Sequence, residues 1–507
     1  MAEPRDTGKD PDLTKGINLI DFGGRQMLRG HVGKASVVLA LVGDEVLAVD
    51  ARCTHYGGAL DDGLLSGDTV RCPLHHACFS LRTGEALGVP AFDSLSCWLV
   101  ERDGDQIRVR EKARPVAARA VAGASEPQAI AIIGAGAAGF ACAEMLRRRG
   151  YAGALTMLSA DKDPPYDRPN LSKDYLAGNA PAEWMPLKPE AFYREKTIDL
   201  RLGVSVASID GTARKVVLDD GQVLAFDRLL IATGAEPVRP PIPGADLAHV
   251  FTLRSFSDGR ALAAATEKAK SAVVLGSGFI GLETAAALRM RGLEVHVVSR
   301  DARPLEKLLG PALGDVIAAL HEDHGVKFHM QTSIRAIAAD AVTLETGERI
   351  ATDLVIIGAG VRPRTALAEA ANLPVAHGIL VDARLETPMP GIYAAGDVAR
   401  WSGGADGETR RVEHWVVAER QGQVAAENML GASMPFRDAP FFWSAHYDTA
   451  IRYVGHAETW DECVVDGNIA AHDASISYRR GGRTLAVATI GRDIEALAAG
   501  QRLAGAG

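Results

Sequence analysis

The stretch AIAIIGAGAAGFACAEMLRRRG, residues 129–150, sets an apolar run directly before glycines 134, 136 and 139 and follows them with an amphipathic segment. It reads as strand, tight turn and helix. Gly134, Gly136 and Gly139 complete the G-x-G-x-x-G spacing that a close-packed pyrophosphate needs, and the helix start offers it free N–H groups. The following strand, ALTMLSAD, ends at Asp161, an acceptor for a ribose hydroxyl. The pattern recurs in AVVLGSGFIGLETAAALRMRGLEVHVVSRD, residues 272–301, with Gly276, Gly278 and Gly281. Repeated β–α–β units predict parallel sheets with ligands at the strand C-termini. After Val298 stand Ser299 and Arg300, where an acid would meet the 2′-hydroxyl of NAD. Loss of the acid with gain of a cation favours a 2′-phosphate, although NADH and NADPH both stay open as the donor.

Upstream the texture differs. Residues 12–112 alternate short apolar runs with tight turns such as Gly43-Asp44 and Asp103-Gly104, which predicts an all-β domain. Residues 113–127 are rich in Ala, Pro and Arg and read as a linker. Inside the β region, Cys53 and His55 form C-x-H, and Cys72 and His75 form C-x-x-H. Two loops that each supply one thiolate and one imidazole suit a [2Fe–2S] cluster, with both cysteines on one iron and both histidines on the other. A zinc site would segregate its ligands by type, and this spacing does not. Cys78 reads as a packed or free thiol, and Cys97, Cys142 and Cys463 are isolated. The string HEDHGVKFH, with His321, His324 and His329, is the tempting set for a mononuclear iron; it reads instead as a solvated face.

Composition narrows the classes. The 507 residues carry a net charge of −9, which argues against nucleic acid as main partner. No apolar run approaches the ~18 residues of a membrane span. The polar start has no apolar core, so the expected location is the cytoplasm. Six cysteines are too few for a disulfide scaffold in a chain this long.

Resemblances sharpen this reading. LLIATGAEP (229–237) and GIYAAGDVA (391–399), together with the first glycine fingerprint, resemble the two-dinucleotide-binding flavoproteins. That resemblance implies that Asp397 contacts the ribityl chain or phosphate of FAD. PPYDRPNLSKDYL lacks the cysteine pair of disulfide reductases. Its YDRP and LSK, the GLE after the second fingerprint, and VEHWVVAERQGQ resemble oxygenase-linked ferredoxin reductases and apoptosis-inducing-factor-like proteins. By that resemblance Arg168 and Lys173 lie against FAD, with Lys173 near the isoalloxazine. Glu283 lies near the nicotinamide. Trp415 packs by the flavin, with a core aromatic as the rival reading. Further candidate cofactor positions are Ala138, Val206, Ala232, Thr233 and Gly234, and beside the second fingerprint Ile280 and Gly358. Lys173 and Glu283 are the catalytic candidates.

The cluster loops resemble the Rieske family, in its ferredoxin-like branch, because the extra disulfide cysteines are missing. The segment from Phe441 resembles the reductases' C-terminal α+β domain. The expected organisation is a Rieske domain at 12–112, a linker at 113–127, and an FAD-binding domain at 128–250 and 354–432. An NAD(P)-binding domain at 251–353 and a C-terminal α+β interface domain at 433–507 complete it. The fold class is therefore multidomain: all-β, then two Rossmann-like α/β domains, then α+β. The expected function is an NAD(P)H-dependent flavoprotein reductase. It would pass electrons through FAD to its own cluster and on to an external acceptor, a protein such as an oxygenase, ferredoxin or cytochrome. A nicotinamide-responsive redox sensor with little turnover is the alternative. The resemblance leaves a homodimer through the C-terminal domain open.

Overall fold

The computed structural model describes residues 10–114, 127–403 and 409–505. Most of the expected linker, residues 115–126, lies outside them. The chain divides into two compact units, one of residues 1–120 with 492–505 and one built on residues 121–491.

The first unit is antiparallel β throughout its N-terminal part. A six-stranded sheet runs, edge to edge, Ile17–Asn18, Gln106–Lys112, Cys97–Asp103, Glu45–Asp50, Ala35–Val42 and Met27–Val32. A four-stranded sheet joins Leu64–Ser66, Thr69–Arg71, Cys78–Ser80 and Ala86–Gly88 in sequence order. Val38, Val49, Val70, Phe79 and Leu81 close a core that also holds Cys53 and Cys72. Helix Asp493–Gly505 groups with this unit, making contacts with strand Leu64–Ser66 and burying Ala496, Leu497 and Ala499.

The second unit contains two five-stranded sheets of the same plan. One orders Asp199–Leu202, Ala154–Ser159, Ala129–Ile133, Arg228–Ile231 and Ile392–Ala394, all parallel. The other orders Val326–His329, Glu294–Val298, Ser271–Leu275, Leu354–Ile357 and Val250–Phe251, again parallel. Here the expected boundaries need correction. Strand Leu354–Ile357, placed by sequence in the flavin segment, pairs with Ser271–Leu275 of the second sheet. Strand Val250–Phe251 then pairs with it across the expected junction at residue 250. These short apolar runs carry no local mark of which sheet they will enter, because both sheets bury both faces. A five-stranded antiparallel sheet, Phe441–His446, Thr449–Gly455, Arg483–Ile490, Asp473–Arg480 and Glu462–Asn468, packs against helix Glu306–Asp323 through Leu309, Leu313, Ile317 and Tyr453.

The glycine turns are tight for a reason visible in space. A Cβ on Gly139 would stand 1.9 Å from the Gly134 carbonyl oxygen, and one on Gly281 2.2 Å from that of Gly276. Helix Trp415–Met429 approaches the first fingerprint helix as closely, since a Cβ on Gly422 would lie 2.1 Å from the Ala138 oxygen.

Candidate functional site

In the first unit the two cluster loops are built alike. Cys53 N–H donates to the Gly58 carbonyl at 2.9 Å and Gly57 N–H returns to Cys53 at 2.9 Å. Cys72 N–H donates to Ala77 at 2.8 Å and His76 N–H returns to Cys72 at 3.1 Å. The fourth residue after each cysteine, Gly57 (φ 71°) and His76 (φ 64°), takes the left-handed conformation that turns the loop. The loops meet: a Cβ on Gly58 would stand 2.8 Å from Cys72 Sγ. Cys53 and Cys72 are buried with interacting thiols, and the hydrogen bond with Cys72, then burial, push Cys53 up. His55 Nδ1 stands 3.1 Å from His75 Nδ1, with Tyr56 stacked on His55. Burial lowers His55 to about 4, which keeps a lone pair for a metal. Cysteines thus face cysteines and histidines face histidines. Among the described residues no three His, Cys, Asp or Glu side chains converge as a single-ion site requires. A two-iron cluster asks only two protein ligands per iron, so the donor set fits it.

In the second unit both fingerprints open on one cleft of about 1680 Å³, larger than the usual single-ligand pocket of ~300–1,000 Å³. Helix Ala137–Arg148 starts there at Gly136 and helix Phe279–Met290 at Gly278, neither with a side-chain cap, so their first N–H groups face the cleft unclaimed by side chains. Gly134, Gly136, Ala138, Asp161, Arg168 and Val206 line the first half. Ala232, Thr233, Gly234, Asp397 and Trp415 complete it. Gly278, Ile280, Gly281 and Gly358 line the second, with Lys173 and Glu283 between. Gly139 and Gly276 are not in the lining: Gly139 lies in the first turn of helix Ala137–Arg148, and Gly276 is a turn residue at φ +116°, where a Cβ would stand 2.3 Å from the Gly358 carbonyl oxygen.

Two further sequence candidates fall outside the cleft wall. Ser299 is buried and bonded to Ser277 Oγ at 2.8 Å. Arg300 pairs with Glu345 at 3.5 Å, its side chain 77% exposed. Ser299 is tied to the turn at Ser277 and Arg300 meets Glu345 at the surface, so neither lines the cleft.

Charge in the first half suits an anion. Arg254, which sequence reasoning missed, donates to Asp397 at 2.7 Å, and its buried Nε has no hydrogen-bond partner in the structure. Arg168 stands by it, and desolvation, then the like charge of Arg254, pull Arg168 down. Two guanidiniums at a glycine turn, one with an unmet donor, fit the pyrophosphate of FAD. Asp161 accepts from Tyr166 Oη at 2.9 Å.

Between the halves Glu283 is buried and accepts from Lys173 Nζ at 2.8 Å, Ser172 Oγ at 2.5 Å and Ser444 Oγ at 2.7 Å. Near Lys173, burial raises Asp167 to about 7, opposed by that ammonium, and holds the buried Glu419 well above the ordinary carboxylate range. Ser444 carries no sequence mark of its own, and Glu419 lies within the VEHWVVAERQGQ string without having been singled out. The first comes from the C-terminal sheet and the second from the helix behind Trp415.

Comparison with known proteins agrees with this geometry. The pyridine nucleotide-disulphide oxidoreductase pattern matches residues 128–422, the Rieske [2Fe-2S] domain residues 19–99, and the reductase C-terminal domain residues 441–507. Apoptosis-inducing factor 3 of Mus musculus is 31% identical over 493 residues, covering 93% of this chain and 81% of that relative. The ferredoxin–NAD(+) reductase component of the anthranilate 1,2-dioxygenase system of Burkholderia cepacia is 39% identical over 386 residues, 74% of this chain and 94% of the relative. Among solved structures, the covalent putidaredoxin reductase–putidaredoxin complex matches with a TM-score of 0.72 and 32% identity, covering 75% of this chain and 94% of that one. The chain therefore belongs to the pyridine nucleotide-disulphide oxidoreductase family, as a ferredoxin-reductase-type FAD- and NAD(P)H-dependent oxidoreductase that carries its own Rieske domain.

Proposed function

We propose that FAD lies along the Gly134–Gly136 turn with its pyrophosphate against Arg168 and Arg254 and its ring beside Lys173, and that the nicotinamide enters from Gly278 toward Glu283. The observation that carries this reading is the convergence of two glycine-fingerprint helix starts on one cleft with the Lys173–Glu283 pair between them. The protein is a reductase that takes electrons from NAD(P)H and delivers them to a one-electron acceptor. Bound FAD supplies the conversion of a two-electron hydride into single electrons. The chain's part is to hold, orient and desolvate. Glycine turns bring backbone donors to the phosphates, and the Lys173 ammonium is fixed by Glu283 and the Pro169 carbonyl at 3.1 Å.

The cluster ligands Cys53, His55, Cys72 and His75 make the Rieske domain the internal carrier, and it passes electrons to an external protein. The solved relative bound to putidaredoxin supports a protein acceptor. NADH is the donor that fits better. The guanidinium of Arg300, which sequence offers to a 2′-phosphate, is shared with the Glu345 carboxylate. Among the described residues no helix is long and apolar enough to cross a membrane. The six cysteines, none in a disulfide, suit a reducing cytoplasm.

Anaerobic titration with NADH and with NADPH tests this. Flavin bleaching should precede the low-g signal of a reduced Rieske centre, at lower NADH than NADPH. Bleaching without that signal would refute the internal relay, and negligible turnover with any acceptor would favour the sensor reading.

A further inference from the structure

The hydrogen bonds that begin at Glu283 continue away from the cleft. Ser444 Oγ, which donates to Glu283 Oε1 at 2.7 Å, lies 3.1 Å from His446 Nε2. His446 Nδ1 lies 3.1 Å from His321 Nε2. Ser444, His446 and His321 are each 0% exposed. The His321 ring sits 5.3 Å from Tyr447, which stacks at 3.6 Å on the exposed His324. His321 was expected on a solvated face, but the C-terminal sheet covers it; only His324 is exposed, and His329 stacks on His296.

The polarity of this chain is determined by its end. An ionised carboxylate only accepts, so Ser444 gives its proton to Oε1. The hydroxyl oxygen then accepts from His446 Nε2–H, which leaves His446 Nδ1 bare. That nitrogen accepts from His321 Nε2–H, which leaves His321 Nδ1 bare as well, and it is a buried atom with no hydrogen-bond partner in the structure. Burial pushes both histidines down to about 3, helped at His446 by Lys173 and at His321 by His446 and His324, so both rings are neutral near pH 7. A neutral imidazole with one N–H and one bare nitrogen can take a proton on one side and release one on the other.

We propose that His321, His446 and Ser444 form a proton relay that loads Glu283 when a hydride enters the cleft. The proposal rests on the placement of the flavin ring beside Lys173. The charge balances. A hydride brings two electrons, one proton and a net negative charge. One proton taken from bulk water through hydronium enters at His321 Nδ1, makes an N–H bond there and breaks the one at Nε2. It makes N–H at His446 Nδ1 and breaks that at Nε2, makes O–H on Ser444 and breaks its former one, and ends as O–H on Glu283. When two one-electron acceptors have drawn the electrons, the hydride's proton and the relayed one both leave. The net reaction releases one proton per nicotinamide. The groups facing the relay are Lys173 and Glu283 at one end and His324, Tyr447 and Arg289 at the other.

Two measurements test this on the full-length holoprotein. The first is nitrogen NMR of protein labelled at histidine, with His321→Phe and His446→Phe spectra to assign the signals. Both rings should be neutral Nε2–H tautomers; a charged ring or an Nδ1–H tautomer at either position overturns the relay. The second is anaerobic stopped-flow reduction by NADH with a pH indicator. In the wild type proton uptake should keep pace with flavin bleaching. In His321→Phe bleaching should stay within about twofold while uptake lags at least tenfold, in line with the ~10²–10⁴ effects of positioned proton carriers. In Glu283→Gln uptake should vanish. Absence of uptake in the wild type, or equal slowing of both signals in a His321→Phe protein that keeps its flavin and melting temperature, overturns the relay. The flavin placement fails separately, if Lys173→Met leaves the flavin spectrum and potential unchanged.

Discussion

Replacing Gly139 with alanine should strip the protein of flavin while sparing its iron–sulfur loops. The new Cβ would stand 1.9 Å from the Gly134 carbonyl oxygen and 3.2 Å from Ile132 Cγ2. The obstacle is backbone, so no rotamer relieves it. Since Cβ atoms do not approach other atoms closer than 3.0 Å, the helix start and the turn must part by at least the difference, 1.1 Å. The turn is crowded on its far side too: at Gly134, φ +107°, a Cβ would stand 2.2 Å from the Ala232 carbonyl oxygen. A parting of that size stretches a ~2.9 Å N–H to phosphate bond to about 4 Å, past useful length. Hydrogen bonds to charged groups are worth about 1.5–3 kcal/mol, so each one lost weakens FAD binding roughly 10- to 100-fold. Overpacking should cost a further ~1–3 kcal/mol of stability. The assay is fluorescence titration of deflavinated protein with FAD, beside the cluster's spectrum as an internal standard. Gly281→Ala is the matched control. Its Cβ would stand 2.2 Å from the Gly276 oxygen, and it should raise KM for the nicotinamide with FAD occupancy intact. Full flavin content and an unchanged Kd in Gly139→Ala would refute the packing argument. Flavin loss in Gly281→Ala would refute the assignment of the two fingerprints.

Other expectations follow from single side chains. Cys72→Ser should abolish the cluster's spectrum and cytochrome c reduction while ferricyanide turnover persists; parallel loss or parallel retention of both activities would count against the internal carrier. Lys173→Met leaves the buried Glu283 carboxylate without its cation, a loss of about 3 kcal/mol at the low end for broken buried pairs because Ser172 and Ser444 still donate; chemical denaturation should show part of it recovered in the double variant with Glu283→Gln. Glu419 holds a proton in the folded state that the unfolded chain releases above its ordinary 4.5, so native stability falls as pH rises past that value, by up to ~1.4 kcal/mol per pH unit, until Glu419 ionises in place. Glu419→Gln should therefore melt higher than wild type at pH 8 and match it at pH 4, and a gap that persists at pH 4 would disprove the protonated carboxyl.

Much of this protein was legible because its signals are local. A strand, a glycine turn and a helix start occupy one short stretch, and the backbone geometry that binds a pyrophosphate is complete within it. The cluster ligands are equally local, since each loop closes its own hydrogen bonds from Cys53 to Gly58 and from Cys72 to Ala77. Patterns of this kind need no knowledge of what packs around them. For Ser299 and Arg300 the same reasoning stops short, because residue type at a strand end does not reveal a neighbour such as Ser277 or Glu345.

What tertiary structure alone decided is the set of partners far apart in the chain. Lys173 meets Glu283 across 110 positions, Glu283 meets Ser444 across 161, and Arg254 meets Asp397 across 143. His321 shows the reason most plainly. Its helix presents Leu313 and Ile317 to the C-terminal sheet, and His321 continues that face under the same cover. Periodicity tells which residues share a helix face; burial, and with it the protonation and bonding of a histidine, depends on the second surface brought against that face, and packing between distant segments supplies it.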